Sequence, residues 1–418
     1  MSALTLGTAW RDITPTAPLE LAGFAARRGS WHSVDEPLAV QAFAFGSTEC
    51  STPTAILVCA DLLWWGQRSI ARVRRAVAEH LGSDGAQVVL HASHTHAAPA
   101  VAAEFSPRLG QVDPAYLEQL EARTVAACLA AAAKPQPVTL ALGQNRCGIG
   151  VSRTGGAGRG PIRPDPRRPV DDRVRTVLAY DASGAVAAVL VHYACHPVHE
   201  AGHRVSADFP ATMRRAVQQG LGTDAPVGFL QGCAGDINPA DLGGGGPVAG
   251  QRSGRLLGAA ALRAIASGRP APATEPTLVR ATADLPLDPD LAAHPPADPV
   301  WVELAQARRD GRCIRPELKL SSVDLGPVRL LGINAEVTGE VGRALQDATG
   351  DWTLPLTCTD GMIGYLVGPR DLGRGGYEAE ESWAYLFRDG PCSPEASARL
   401  VQLTTQLIRT AEEADHAG

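Results

Sequence analysis

The sequence predicts an α/β fold in which a mixed or mostly parallel β-sheet core is flanked by helices. Two observations carry this expectation. Short apolar runs alternate with segments of helical periodicity over the first two-thirds of the chain, and histidines cluster where those runs end. The composition agrees with a folded protein, since 45% of the 418 residues are hydrophobic and only 20% charged.

Taken in order, residues 54–63 form a β-rich apolar run that reaches Asp61 and the pair Trp64–Trp65. A helix follows over residues 67–81, where Ile70, Val73, Val77 and Leu81 recur three or four apart on one face. Residues 87–91 read as the next strand and lead into Ser93–His96. A second helix, rich in alanine and leucine, spans residues 118–133. Residues 187–195 make a strand of Val, Leu and Ala, and residues 227–230 and 328–333 repeat that character. Three stretches read as loops: 155–169, rich in Gly, Pro and Arg; the glycine run 243–246; and the proline-dense 268–299. So long a loop within one domain predicts a subdomain joint or an active-site cover around 243–300, the whole of 1–418 otherwise forming one catalytic domain.

Composition excludes several classes of function. A net charge of −6 disfavours a nucleic-acid partner. No segment approaches the ~18 continuous apolar residues of a spanning helix. Residues 1–11 lack both a basic and an apolar signal region, so a cytoplasmic enzyme is expected, with no indication of an oligomer. The nine cysteines are scattered without a C-x-x-C pair, which disfavours a zinc ribbon or a disulfide framework.

Histidine carries the functional signal. Seven of the eleven fall in two windows: His91, His94 and His96, then His192, His196, His199 and His203. His94 and His96 form an H-x-H pair just past a strand, where alternate residues face one side, and His196 also follows a strand directly. Carboxyl ends of strands are where α/β sites form, and neutral imidazole is the commonest zinc ligand. His94, His96 and His196 are therefore candidate ligands, whereas His91, His192, His199 and His203 read as hydrogen-bonding residues. The H-x-H-x-D-H pattern of metallo-β-lactamases fails, because His96 is followed by Ala97, Ala98 and Pro99. The carboxylated lysine of TIM-barrel amidohydrolases fails as well, because the two lysines, Lys134 and Lys319, sit in no matching context.

A third pattern matches along residues 10–390. Ser93-His-Thr-His-Ala-Ala-Pro99 resembles the T-H-T-H-S-G-P segment of the neutral ceramidase family. Asp12-Ile-Thr-Pro15, Ala60-Asp61, Val151-Ser-Arg153 and Cys195-His196-Pro197 with Asp208 are similar to further family motifs, in the same order. So are Gly232-Cys-Ala-Gly-Asp-Ile-Asn-Pro239, Ala335-Glu-Val-Thr338 with Gly342-Arg343, and Gly364-Tyr365 with Tyr377-Glu378. The resemblance implies one Zn2+ per chain, held by His94, His196, Glu336 and Tyr365. It implies that His96 stabilises an oxyanion or shuttles a proton, that Arg153 and Tyr377 contact the substrate, and that Asp236 is held near the site. The implied reaction is hydrolysis of an N-acyl amide, ceramide-like or smaller and more polar, by metal-activated water. The chain has no room for the family's C-terminal β-sandwich.

Three departures fall beside the implied centre: Asn238 replaces a serine, His199 extends H-P-T-S to H-P-V-H, and Ala97-Ala98 replaces Ser-Gly. These positions bear on specificity more than on metal binding. Two other functions stay open, a biosynthetic enzyme using the same centre for amide formation, cyclisation or ester hydrolysis, and a binding protein on this scaffold. Asp61 and Asp208 are candidates for orienting imidazoles, Glu340 for competing with Glu336, and Trp64–Trp65 for the core or pocket rim.

Overall fold

The computed structural model describes residues 3–83, 85, 87–155, 162–242, 246–288 and 299–417. Strand β1 (Leu4–Asp12) leads to the short β2 (Ser33–Val34) and then to β3 (Ala39–Ser47), with which β1 pairs along its whole length. Next come β4 (Ala55–Ala60), α1 (Gln67–Leu81), β5 (Val88–Ala92) and α2 (Pro114–Ala132). Helix α1 has the bounds its periodicity predicts and stops at Gly82, whose φ of 63° is left-handed. Helix α2 starts four residues earlier than its apolar pattern, because Asp113 caps the Tyr116 N–H at 2.8 Å and Pro114 opens the first turn.

The chain continues through β6 (Gln136–Arg146), β7 (Gly150–Ser152), β8 (Arg173–Asp181), β9 (Val186–Tyr193) and β10 (Arg204–Val205). After α3 (Phe209–Leu221) come β11 (Val227–Gln231), β12 (Ile237–Pro239), α4 (Pro247–Ala266) and β13 (Arg269–Ala271). These strands build a nine-stranded sheet of order β11-β9-β8-β6-β1-β3-β4-β5, with β13 beside β6. Only β4 with β5 and β9 with β11 are parallel, so the sheet is mixed but mostly antiparallel in its interior.

A second, four-stranded sheet of order β14-β15-β16-β18 comes from the last third of the chain. This part of the chain runs β14 (Thr277–Asp284), α5 (Val300–Arg309), β15 (Glu317–Asp324), β16 (Arg329–Ile333), β17 (Glu336–Val337), α6 (Gly339–Thr349), β18 (Thr353–Leu356), β19 (Tyr365–Leu366), α7 (Pro369–Leu372) and α8 (Glu395–Ala417), with β17 and β19 pairing apart from the sheet. The proline-dense stretch read as a loop thus holds β13 and β14. Residues 156–161, 243–245 and 289–298 of the expected loops lie outside the described residues.

Strand alternation sorts side chains into four layers. On β3, Ala42 and Ala44 face α1 and α2, while Phe43 and Phe45 face the second sheet. Val323, Leu330 and Leu354 of that sheet meet them, and Leu331 and Ile333 turn the other way onto α6 and α8. Helices α3 and α4 cover the other half of the large sheet through Phe209, Met213 and Leu257. Each such fully buried apolar side chain contributes about 1.5–3 kcal/mol. Two glycines set how close the helices come: a Cβ on Gly7 would lie 1.9 Å from the Ala131 carbonyl oxygen, and one on Gly143 would lie 2.0 Å from that of Ala264.

The two sheets are also pinned by charge. Asp360, buried at a φ of 59°, accepts from the Leu90 N–H of β5 and the Ser321 hydroxyl of β15, and it pairs with Arg74 of α1 and Arg280 of β14. Among the described residues no helix is long and apolar enough to cross a membrane.

Candidate metal centre and active site

The large sheet curls until its two edge strands approach one another, and the candidate site lies at the carboxyl ends of strands on both edges. The Gln231 N–H at the end of β11 donates to His91 Nε2 on β5 at 3.0 Å. The Gln231 side-chain amide reaches Ser93 O at 3.4 Å and Cys195 O at 2.9 Å, joining the two histidine segments. His94 follows β5 at a φ of 67°, a left-handed conformation that costs a non-glycine residue about 1–3 kcal/mol. His196 follows β9, its N–H donating to Ile237 O at 3.0 Å.

Two small ladders supply the rest. Antiparallel pairing of β12 with β7 places Asn238 opposite Val151, and the Arg153 N–H donates to Asp236 O at 2.8 Å. Parallel pairing of β17 with β19 puts Glu336 in register with Tyr365. Residues 140 and more positions apart in sequence thereby converge.

The imidazole tautomers follow from backbone partners. His94 Nδ1 donates to Leu63 O at 3.0 Å, and His196 Nδ1 donates to Ala234 O at 2.8 Å and Ile237 O at 3.1 Å. Each Nε2 then carries a lone pair. Both face the same carboxylate oxygen, Glu336 Oε2, at 3.2 Å from His94 and 3.1 Å from His196. His96 Nε2 lies 3.4 Å from His94 Nε2, and the ligand atoms of His94, His96 and His196 are all within 4.8 Å of one another. Buried acceptors crowded together repel one another unless a positive charge lies among them, and imidazole nitrogens with a carboxylate oxygen at this spacing could hold a metal ion.

Burial opposes charge on His94, but Cys358 and Glu336 raise its pKa well above the ordinary histidine value. Burial would likewise raise the Glu336 carboxyl, but His94 and His196 hold it well below the usual range. Burial, then the Arg153 guanidinium, lowers His196 to about 4. His96 is pushed well below 6.5 by burial and by its two histidine neighbours, and its Nδ1 is buried without a partner.

Arg153 links the cluster to its surroundings. Its guanidinium contacts His196 Nε2 and Asn238 Oδ1, each at 3.2 Å, donates to the Tyr365 hydroxyl at 2.9 Å and pairs with Glu378 at 2.7 Å. The Tyr365 and Tyr377 rings lie 6.0 Å apart. Asp236 stands off from the imidazoles, accepting the Gly339 N–H at 2.6 Å in a recess bordered by Arg153 and Tyr377. All eight site residues expected from sequence thus fall in one region, with seven around the cluster and Asp236 beside it.

The supporting candidates divide. Asp61 touches no imidazole: it accepts both terminal nitrogens of Arg214 and the Ala39 N–H, because α3 brings that arginine over the strand end. Asp208 does orient a histidine, but the one it holds is His199, at 2.7 Å, with Asp241 on the other ring nitrogen at 3.0 Å. Glu340 turns away to the Arg370 N–H. Trp64 packs against His94 with ring centroids 5.9 Å apart and edge-on to Phe105, whereas Trp65 is core. His91, His192 and His203 hydrogen-bond as expected.

Sequence reasoning missed three contributors. Cys358, at a φ of 55°, sets its sulfur 3.3 Å from His94 Nδ1, and no spacing signal marks it. Gln231 ends an apolar strand with one polar residue, a signal that was present. Glu378 stands inside the quoted Tyr377-Glu378 pair without a role.

No protein-family model matches the chain, and no curated protein matches its sequence. Solved structures do. A crystal structure of neutral ceramidase from Pseudomonas aeruginosa is similar with a TM-score of 0.78 at 17% identity, covering 99% of this chain and 75% of that one. A ceramidase complexed with C2 is similar with a TM-score of 0.78 at 16% identity, covering 99% and 76%. The chain therefore has the fold of these neutral ceramidase structures, a mixed sheet flanked by helices.

Proposed function

We propose that the chain is a metal-dependent amidohydrolase that cleaves an N-acyl amide, with one zinc ion held by His94, His196, Glu336 and Tyr365. The observation that carries this reading is the convergence of two Nε2 lone pairs on one carboxylate oxygen, Glu336 Oε2, at 3.2 and 3.1 Å. Zinc bound there supplies Lewis acidity and lowers the pKa of water toward about 7. His96, kept neutral by its surroundings, takes up or returns a proton at Nε2, on the open side of the His94–His196 pair. The Arg153 cation and the Tyr377 hydroxyl face the charge that develops on the amide oxygen. Backbone carbonyls lock both ligand imidazoles, so the ring orientations are set before substrate arrives. Trp64 and Phe24, which packs 5.0 Å from His96, keep bulk water from the histidines.

Release of free amine from simple N-acyl amides tests the reading. Turnover is expected with zinc, is lost on chelation and returns when zinc is restored. A zinc-loaded protein that releases no amine from any acyl length contradicts it.

A further inference from the structure

One recess continues away from the imidazoles, starting at Arg153 and Tyr377. It is narrow, and its described lining sets the charged groups Arg153, Asp236, Asp371 and Glu378 among apolar side chains such as Ile162 and Val367. Arg374 also borders it, and two further cations nearby are engaged. Arg153 pairs with Glu378, and Arg168 pairs with Asp371 Oδ1 while also reaching the Thr154 hydroxyl. Asp371 is only 6% exposed, and its second oxygen, Oδ2, is buried without any hydrogen-bond partner. Asp236 accepts the Gly339 N–H at 2.6 Å and, among the described residues, forms no ion pair. Burial raises its pKa; the Gly339 N–H offsets this in part, and the charges of Asp371 and Glu378 add to the rise. A buried carboxylate oxygen without a partner is costly, and a ligand's donor would recover that cost.

Resting on the hydrolase reading above, we propose that this recess is a specificity subsite, in which Asp371 and Asp236 accept hydrogen bonds from a hydroxyl or ammonium group on the amine half of the substrate. The preferred substrate is then a short, polar N-acyl amine. An apolar amine would leave both carboxylates unanswered, and sites built to hydrogen-bond a substrate group reject analogues that lack it.

The test uses the zinc-loaded protein and three amides of matched length: N-acetylethanolamine, N-acetylethylenediamine and N-acetylpropylamine. At least one of the first two is expected to exceed the third by about 100-fold in kcat/KM, the better one telling hydroxyl from ammonium. Asp371→Asn keeps the volume and an acceptor for Arg168 but turns an NH2 into the recess. It is expected to shrink that ratio to about tenfold or less. Asp236→Asn, checked by thermal melting alongside it, guards against a variant that merely misfolds. Equal rates for all three amides would overturn the subsite and leave the hydrolase standing. If no amide is cleaved, the hydrolase reading fails, and calorimetry with the free amines decides the subsite. Tighter binding of ethanolamine or ethylenediamine than of propylamine, weakened by Asp371→Asn, supports it, and equal or absent binding overturns it.

Discussion

Two buried polar clusters flank the turn at residues 357–361, and they differ in how donors are shared out. Around Asp360, four donors answer one carboxylate: Arg74, Arg280, the Ser321 hydroxyl and the Leu90 N–H. Burial would raise that carboxyl, but the two guanidinium groups hold it below the usual range. Around His94, reached from the same turn through Cys358, two imidazole lone pairs and a carboxylate face one another, and the one guanidinium beside them, Arg153, reaches only His196. The first cluster is complete within the chain and serves the fold. The second gathers more acceptors than donors, and a surplus of acceptors on rigid supports is what a metal site needs before its metal arrives.

Changes to each cluster break the comparison in different ways. The largest effect is expected for Glu336→Gln, which replaces the shared oxygen with an amide. Turnover should fall by about 1,000-fold or more along with zinc affinity, with the fold retained by circular dichroism. Asp360→Ala removes the buried carboxylate that the half-buried Arg74 and Arg280 share, so urea unfolding should show a loss of about 3 kcal/mol. Zinc stoichiometry should be unchanged in the molecules that remain folded. His96→Ala is expected to lower kcat by about 100–1,000-fold while one zinc per chain is kept, as metal analysis would show. If the metal is lost with His96, the ligand set is the three histidines instead.

The smallest effect sharpens the boundary between the clusters. His192 is buried neutral, its pKa lowered to about 4 by burial and then by Arg175. The unfolded chain takes up that proton near 6.5, so this stability is present above pH 6.5 and is lost as pH falls toward 4. The loss amounts to about 3 kcal/mol. His192→Gln should flatten the pH dependence of unfolding over that interval, and an unaltered slope would show that other groups set it.

Local patterns were legible in the sequence where local physics decides. The bounds of α1 follow from four apolar residues and a terminal glycine, and the strand-end histidines follow from clustering alone. Glu336 and Tyr365 were reachable only through their motifs, since their pairing across β17 and β19 is a contact between distant segments. The antiparallel strands β1, β6, β8 and β14 escaped notice because each has a partly polar face or frayed ends. The role of Asp61, open between orienting an imidazole and ordinary strand-end hydrogen bonding, could not be read from sequence because its partner, Arg214, arrives 153 residues later. The recess at Asp371 was invisible for the same reason, as it exists only once α7 packs beside β7 and β12.

Titration of the metal-free protein with zinc, followed by calorimetry, tests the central claim most directly. One ion per chain is expected to bind with submicromolar affinity to the wild-type protein. A correctly folded protein that binds no zinc in the micromolar range would contradict the account, because the facing lone pairs of His94, His196 and Glu336 would then have no cation to hold.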